Sequence, residues 1–179
     1  NGGKQRPTNL VIVTASLVHN WSNEIKSLCP EKKVLVHKGT SRTKKETLFK
    51  IYDVVISTYH IVRMDAELLS GFKFDTIVLD ESQYIKNPSS MIYKAVTKLY
   101  GTNRVVLSGT PVENSLMDLW SQLNFVNPGL LGSPTFFKRE YVTSIENWGD
   151  QVKEQLLKRI IKPFIMRRTK EMVETELPP

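Results

Sequence analysis

The sequence has little cysteine and no long hydrophobic run. Its single cysteine, Cys29, cannot form an internal disulfide, and a thiolate metal site is disfavoured because there is no second cysteine. No apolar stretch approaches the roughly 18–20 residues that a membrane-spanning helix needs, and the polar first residues are unlike a secretory signal. These absences predict a soluble intracellular protein with no membrane partner. Because the chain begins with asparagine, we expect a piece of a longer protein.

The remaining composition is that of an ordinary globular domain. Apolar residues make up 40% of the chain and charged residues 24%, which excludes bulk disorder. The net charge is +7, and residues 24–50 hold eight lysines and arginines against three glutamates. Such a basic segment is either a solvated helix face or a surface that contacts phosphates, and charge alone does not separate the two.

Short β-branched segments alternate with helical patterns over the first 107 residues. The strand candidates are almost entirely apolar, as expected for strands covered on both faces. Between them, apolar residues at helical spacing follow Ser16, a candidate N-cap. The pattern predicts an α/β fold with a parallel sheet flanked by helices, and its working groups should follow the carboxyl ends of the strands. The strand candidates are 10–13, 34–37, 54–57, 76–79 and 105–107, and the helix candidates are 17–28, 42–50, 59–69 and 88–99.

Beyond Pro111 the pattern becomes mostly helical. Two apolar stripes, at 116–123 and 152–164, have the spacing of helix faces that pack in a core. Turn signals at 127–129 and 132–134 lie between them. We predict a helical appendage to the α/β layer and assign no function to its Trp and Leu residues.

Two adjacent carboxylates, Asp80 and Glu81, follow the apolar run at 76–79. A buried acidic pair at the tip of a strand is costly unless the protein uses it. One common use is a nucleotide-bound magnesium ion, where the first carboxylate holds the ion's water shell and the second orients the attacking water. An ordinary turn is the alternative, and the preceding buried strand favours the catalytic interpretation.

A second polar segment follows the strand candidate at 105–107. It contains two small hydroxyl residues, Ser108 and Thr110, on either side of Gly109. An ordinary turn accounts for this segment, with the glycine serving backbone geometry. The functional interpretation is a relay beside the acidic pair that senses the state of the γ-phosphate.

Together these segments resemble the SWI/SNF-type helicase-like ATPases of superfamily two, which are double-stranded DNA translocases and chromatin remodellers. The matching motifs lie in the family's order along essentially the whole chain. They are motif Ia at 10–21, the basic turn His37-Lys38-Gly39 with Arg42, motif Ib at 56–59, the acidic box at 80–83 with Tyr-Ile-Lys-Asn-Pro after it, Leu-Ser-Gly-Thr-Pro-Val-Glu-Asn-Ser-Leu-Met-Asp-Leu-Trp at 107–120, and further segments at 124–132, 164–170 and 176–178.

The resemblance implies a partial RecA-like lobe of a P-loop NTPase that works with ATP and magnesium. In the acidic box, Asp80 would hold magnesium through water and Glu81 would activate the attacking water. Gln83 would complete the catalytic set and couple the ATP site to the second motif. The residues of that motif are Ser108, Gly109 and Thr110. The acidic box has Ser-Gln where the family commonly has Ala-His, a mild departure.

The resemblance also implies partners. Hydroxyls, amides and basic side chains would contact the backbone of double-stranded DNA without reading its sequence. The residues implied in this contact are Thr14, Lys38, Arg42, Ser57, Thr58 and Tyr59. Residues 1–111 would form the RecA-like core, 112–163 a helical protrusion, and 164–179 the connection towards a second RecA-like lobe.

The sequence contains no Gly-x-x-x-x-Gly-Lys-Ser/Thr loop to cradle phosphates. We therefore expect the parent protein to be a DNA-dependent ATPase, and this piece alone to be inactive and to bind duplex DNA weakly. In the RecA-like order the strand before that loop lies beside the strand at 105–107. Its loss would expose a hydrophobic strand edge, so we expect the piece to self-associate.

Two alternatives stay open. One is a lobe of another superfamily-two motor, such as a strand-separating helicase or a restriction-enzyme subunit. The other is a non-enzymatic module that docks on DNA or protein and has lost its phosphate loop. The expected location is the cytoplasm or nucleoid if the source is bacterial and the nucleus if it is eukaryotic.

Overall fold

The computed structural model describes residues 7–109 and 115–166. Its contacts divide the chain into two compact units, Asn1–Leu131 and Gly132–Pro179. The sequence pattern placed everything after residue 111 in a helical appendage, whereas the helix at Leu116–Val126 belongs to the first unit. Arg104 holds this helix, because its guanidinium donates to the carbonyl of Phe125 and lies over that ring.

Five parallel strands form the sheet of the first unit, in the order β2-β3-β1-β4-β5. The predicted α/β fold with a parallel sheet is therefore confirmed. All five strand candidates lie within strands or overlap them, although β4 and β5 begin three and five residues earlier than predicted. The strands are β1 at Asn9–Val13, β2 at Val34–His37, β3 at Val54–Thr58, β4 at Lys73–Leu79 and β5 at Tyr100–Val106.

The central strand β1 shows why the apolar runs form this sheet. It pairs with β3 on one side and with β4 on the other, and Ile12 lies opposite both Ser57 and Leu79. Leu10, Ile12 and Val13 are fully buried. Each such side chain stabilises the fold by roughly 1.5–3 kcal/mol relative to an exposed one. The same register brings the carboxyl ends of β1, β3 and β4 to one edge of the sheet.

The outer strand β5 is more exposed than its apolar sequence predicted. Val105 is 40% exposed and Leu107, just past the strand, 39%. Within the described residues β5 pairs with β4 alone, so its other edge carries no strand. Because strand side chains point to the faces of the sheet, this exposure shows that β5 is less completely covered there than β1.

The helices differ from the predicted ones mainly at their ends. Ser16 does not cap α1, because Leu17 occupies the N-cap position and makes no side-chain cap. The helix predicted at 42–50 is a short 3-10 helix, Glu46–Ile51, and the helix predicted at 59–69 is broken at Asp65. The first-unit helices are α1 at Val18–Leu28, α2 at Tyr59–Met64, α3 at Ala66–Ser70, α4 at Met91–Lys98 and α5 at Leu116–Val126, with a second 3-10 helix at Ser82–Ile85.

The second unit is helical. It contains α6 at Pro134–Phe137, a π-helix at Lys138–Asn147, α7 at Gln151–Ile161 and a 3-10 turn at Lys162–Phe164. Asp150 caps α7 by accepting a hydrogen bond from the amide of Lys153. Leu157 is the one buried residue of α7, so the apolar stripe predicted at 152–164 is not a packed core face. Across the described part of the chain, none of the helices has the length and apolar character needed to cross a bilayer.

Candidate functional site

Asp80 and Glu81 lie at the carboxyl end of β4, between the ends of β1 and β5. The amide of Asp80 donates to the carbonyl of Ile12, and the amide of Ser82 donates to that of Leu107. Glu81 has φ 52° and ψ 55°, the left-handed conformation that few non-glycine residues adopt. The backbone thus turns sharply at the acidic pair and is anchored on both sides.

Each carboxylate oxygen of Asp80 accepts one hydrogen bond from the part of the chain that the structure describes. The indole Nε1 of Trp21 lies 2.8 Å from Oδ2, and the amide of Glu81 lies 2.9 Å from Oδ1. The hydroxyl of Tyr59 donates to the main-chain carbonyl of Asp80 over 2.6 Å. A carboxylate offers about four lone-pair positions, so each oxygen keeps one for a further partner.

Sequence reasoning missed Trp21. It lies on the apolar face of α1 and was counted as part of a plain helical stripe. The signal that was available is the indole N–H, because a buried tryptophan usually directs this donor to a partner. Nothing in the local sequence identifies that partner, since Asp80 follows Trp21 by 59 positions.

Glu81 and Gln83 face each other across the turn. The side-chain amide of Gln83 donates to Oε2 of Glu81 over 2.8 Å. Ser82, between them, is fully buried and its hydroxyl has no hydrogen-bond partner among the described residues. A buried position without a partner for a hydroxyl suits the alanine that the family resembled by this sequence commonly has there.

The second predicted motif is only partly described. Ser108 and Gly109 follow Leu107 just after β5 and are exposed, whereas Thr110 lies outside the described residues. The hydrogen bond from Ser82 to Leu107 joins the acidic turn to the residue before Ser108. The predicted coupling between Gln83 and this motif stays a prediction.

Asp80 and Glu81 suit a magnesium ion that is carried by a nucleotide. Magnesium prefers oxygen ligands, and in nucleotide sites it takes one or two carboxylates, with water and phosphates completing its shell. No cluster of three or more His, Cys, Asp or Glu side chains that could cage a metal occurs in residues 7–109 and 115–166. Two carboxylates with free lone pairs are what such a shared ion needs.

Three predicted DNA-facing residues direct their hydroxyls inward. The hydroxyl of Ser57 donates to the carbonyl of His37, and that of Thr58 caps α2 by accepting from the amide of Ile61. Tyr59 is buried against Asp80 and stacks on Tyr84 at 4.8 Å. Burial and the nearby carboxylates of Asp80 and Glu81 raise the pKa of Tyr59, which keeps its hydroxyl protonated as a donor.

Thr14 and Lys38 present polar groups outward. The hydroxyl of Thr14 shares a hydrogen bond with that of Ser16, 3.0 Å away on the exposed loop before α1. Lys38 is exposed, and its Nζ lies 3.5 Å from the carbonyl of Ala15 in that loop. The basic turn after β2 and the hydroxyl loop after β1 therefore form one surface.

Arg42 lies in a buried cluster around Asp65. Its guanidinium donates from Nε and Nη2 to the two oxygens of Asp65, and from Nη1 to the carbonyl of Gly39. Its side chain is only 7% exposed. Lys44 and the buried His37 also pair with Asp65, at 3.2 and 2.9 Å. The guanidinium thus serves an internal carboxylate.

The pKa values of Asp65 and His37 are both lowered in this cluster, the first by its partners and the second by burial. The guanidinium of Arg42 holds the pKa of Asp65 well below its usual range, and hydrogen bonds from His37 and Lys44 act in the same direction. Burial lowers the pKa of His37 despite its hydrogen bond to Asp65. We conclude that Asp65 is ionised and His37 neutral near pH 7, with the Nε2–H of His37 directed at the carboxylate.

A family model described as the SNF2-related domain matches residues 2–179. YwqA of Bacillus subtilis is 39% identical over 178 residues, which are 98% of this chain and 19% of that protein. The chromatin-remodeling ATPase INO80 of Saccharomyces cerevisiae is 34% identical over 187 residues, covering 94% of this chain and 12% of that protein. The chain therefore spans less than a fifth of these relatives.

The fold of this chain matches those of solved structures. The Sulfolobus solfataricus SWI2/SNF2 ATPase core in complex with dsDNA is 40% identical and superimposes with a TM-score of 0.83. This match covers 93% of the present chain and 35% of the solved one. The resemblance that was inferred from the motifs is therefore confirmed.

Proposed function

Because this chain belongs to the SNF2-related domain family, we propose that it forms part of an ATP-dependent motor that moves on double-stranded DNA. The observation that carries the proposal is the Asp80–Glu81 pair at the end of β4, with both oxygens of Asp80 held by protein donors. The solved relative in complex with dsDNA supports the DNA partner. Such a motor works where DNA is, in the nucleoid of a bacterium or the nucleus of a eukaryote.

In this proposal the two carboxylates divide the chemistry. Asp80 would hold a magnesium ion through the water molecules of its shell, and the ion would supply positive charge for the phosphates of ATP. Glu81 orients and deprotonates the attacking water. Its left-handed backbone turns its side chain out of the β4 direction, and Gln83 holds one of its oxygens.

We assign the coupling role to the segment after β5. Ser108, Gly109 and Thr110 are proposed to report the phosphate state of the nucleotide to a second RecA-like lobe. The backbone hydrogen bond from Ser82 to Leu107 supports this coupling role, because through it a shift of the acidic turn would move the end of β5 directly. The helical residues 132–163 are proposed as a protrusion and 164–179 as the connection to that lobe.

The DNA surface that we propose is smaller than the one implied by the motifs. It consists of the loop at 14–16 and Lys38, whose polar groups are exposed and adjacent. Four other residues support this surface from the interior, because their polar atoms bind other parts of the protein. They are Ser57, Thr58, Tyr59 and Arg42. Phosphate contacts of this kind are independent of sequence and weaken steeply with salt.

The isolated chain is proposed to lack ATPase activity and to self-associate. Its sequence contains no phosphate-cradling loop, and the phosphates supply most of the binding in such sites. The exposed edge of β5, with Val105 and Leu107 partly exposed, offers an unpaired strand to a second copy. Light scattering should show dimers or larger species, and Val105→Lys should shift them towards monomer. A stable wild-type monomer at high concentration would contradict this part.

The test of the proposed function is DNA-stimulated ATP hydrolysis by the complete protein that contains this chain. Glu81→Gln should lower turnover at least roughly a hundredfold, because it removes the group that activates water. Glu67→Gln is the matched control, since Glu67 is a surface residue whose carboxylate pairs, among the described residues, with exposed Lys98 alone. Stimulation by duplex DNA should fall with added salt and with Lys38→Ala. Full activity in Glu81→Gln would contradict the assignment.

A non-enzymatic docking module is the second candidate. The departure of Ser82 and Gln83 from the family's usual residues is the observation that favours it. A complete protein that binds duplex DNA but hydrolyses no ATP would support this candidate. Strand displacement by the complete protein would instead favour a strand-separating helicase.

A further inference from the structure

We propose that Trp21 is a positioning residue for Asp80, whose carboxylate it fixes for the magnesium–nucleotide complex. This inference rests on the proposed function, because it assigns Trp21 a part in the same site. It adds a residue from α1 to a catalytic turn at the end of β4.

The contact has the geometry of a specific donor. The indole Nε1 lies 2.8 Å from Oδ2 of Asp80, within the distance expected for a charge-assisted hydrogen bond. An indole nitrogen donates and cannot accept. Together with the amide of Glu81 on Oδ1, 2.9 Å away, it holds both oxygens and so fixes the rotation of the carboxylate plane.

The ring of Trp21 is itself held in place. Its body packs on a core cluster formed by Val11, Val13, Val18 and Ile56. Core packing accounts for the position of the ring, yet it does not require the N–H to meet a carboxylate. A tryptophan can pack in the core with its apolar ring and donate a hydrogen bond to the carboxylate with its N–H. The carboxylate is therefore tied to the rigid part of the sheet.

The main chain of Asp80 is positioned by other groups. Its amide donates to the carbonyl of Ile12, and its carbonyl accepts from the hydroxyl of Tyr59. Trp21 is the one side chain among the described residues that binds the carboxylate of Asp80. Loss of its N–H should therefore affect the side chain alone and leave the turn in place.

A neutral donor suits a metal ligand better than a cation does. No lysine, arginine or histidine of residues 7–109 and 115–166 forms an ion pair with Asp80. A cation in the place of Trp21 would compete with magnesium for the negative charge. The indole orients the carboxylate while its full charge stays available to the ion.

The experiment uses the complete protein with Trp21→Phe, which keeps an aromatic ring and removes the donor. Binding of Mn²⁺, with a non-hydrolysable ATP analogue present, is followed by electron paramagnetic resonance. We expect roughly tenfold weaker Mn²⁺ binding, the range seen when partners of metal ligands are removed. The magnesium concentration for half-maximal ATP hydrolysis should rise by a similar factor.

Ile25→Val is the matched control. Ile25 lies one turn further along the same face of α1, packs on the same core cluster and makes no contact with Asp80 that the structure records. The Ile25→Val substitution removes one methyl group from the core and should leave Mn²⁺ binding within about twofold of the wild type. Equal Mn²⁺ affinities in Trp21→Phe and Ile25→Val would overturn the inference.

A second measurement does not depend on the folding of a variant. In wild-type protein with ¹⁵N-labelled tryptophan, the indole signal of Trp21 should shift when Mg²⁺ joins the nucleotide complex. The signal of Trp148, which is 77% exposed, should not. An unchanged Trp21 signal would overturn the inference. A wild-type protein that binds Mn²⁺–nucleotide and hydrolyses ATP, with normal Mn²⁺ binding in Trp21→Phe, refutes the inference alone. A wild type that does neither refutes the proposed function and the inference with it.

Discussion

Asp65, between α2 and α3, and Asp80, at the end of β4, are two carboxylates of the first unit with opposite surroundings. Asp65 is bound by the cations Arg42 and Lys44 and by the neutral ring of His37. Asp80 is bound by an indole and a backbone amide, both of which are neutral. The charge of Asp65 is thus neutralised within the protein, whereas that of Asp80 is oriented and left for an external cation.

The comparison separates an aspartate that stabilises the fold from one that binds a ligand. A buried ion pair contributes little net stability, but breaking it leaves an uncompensated charge and costs several kcal/mol. A carboxylate held by neutral donors can lose its charge at smaller cost to the fold. Loss of the charge of Asp65 should therefore destabilise the fold, whereas loss of the charge of Asp80 should disable the candidate site.

The largest expected effect on stability comes from Asp65→Asn. Arg42 is nearly buried and would lose its counter-charge, so we expect a loss of about 3–5 kcal/mol in the free energy of unfolding. Asp80→Asn is the isosteric control and should cost less, about 1–3 kcal/mol, because its amide keeps an acceptor for one of the two neutral donors and leaves the other without one. Denaturant midpoints of the two variants give the comparison. Equal losses would mean that the two surroundings do not differ in kind.

A smaller effect is expected from pH, through His37. Its pKa is lowered in the folded protein, so the unfolded chain binds a proton first as the pH falls below about 6.5. Stability from this residue is complete above that pH and is lost as the pH falls from there towards the lowered folded pKa. Asp65 has a depressed pKa as well and should add its loss only below about pH 4.

Thermal unfolding between about pH 7.5 and 5 measures this slope. His37→Gln should flatten it, whereas His19→Gln, at an exposed position of α1, should leave it unchanged. A slope that persists in His37→Gln would show that another group carries the pH dependence.

The smallest effect is expected from Lys44→Ala. The side chain of Lys44 is 64% exposed, and exposed ion pairs contribute roughly 0–1 kcal/mol. The same denaturant series should show a loss at the low end of that range, far below that of Asp65→Asn. A loss as large as that of Asp65→Asn would assign the neutralisation of Asp65 to the lysine and not to Arg42.

The positions of the strands could be predicted from the sequence, whereas the surroundings of each strand could not. Apolar runs located all five strands, because a strand covered on both faces has a local sequence signature. The exposure of Val105 depends on what lies beside β5, which no local pattern reports. The helix predicted from Arg42 begins only at Glu46, because the hydroxyl of Thr43 binds the amide of Lys45 and competes with helix formation.

The candidate site was predicted in part for the same reason. The Asp80–Glu81 pair follows an apolar strand, and that order is visible in the sequence. The partners of the two aspartates are not visible, since Trp21 precedes Asp80 by 59 positions and Arg42 precedes Asp65 by 23. The family resemblance therefore placed Arg42 among the DNA contacts, and the helical spacing placed Trp21 in the core.

The most direct test of this account is magnesium-dependent ATP hydrolysis by the complete protein carrying Asp80→Asn, measured with duplex DNA present. The account predicts a loss of roughly a hundredfold or more, since an amide holds the water shell of the ion far less well than a carboxylate. The same preparation should stay folded and unfold at a higher denaturant concentration than Asp65→Asn. Activity within about threefold of the wild type would contradict the claim that Asp80 is the carboxylate kept for the metal.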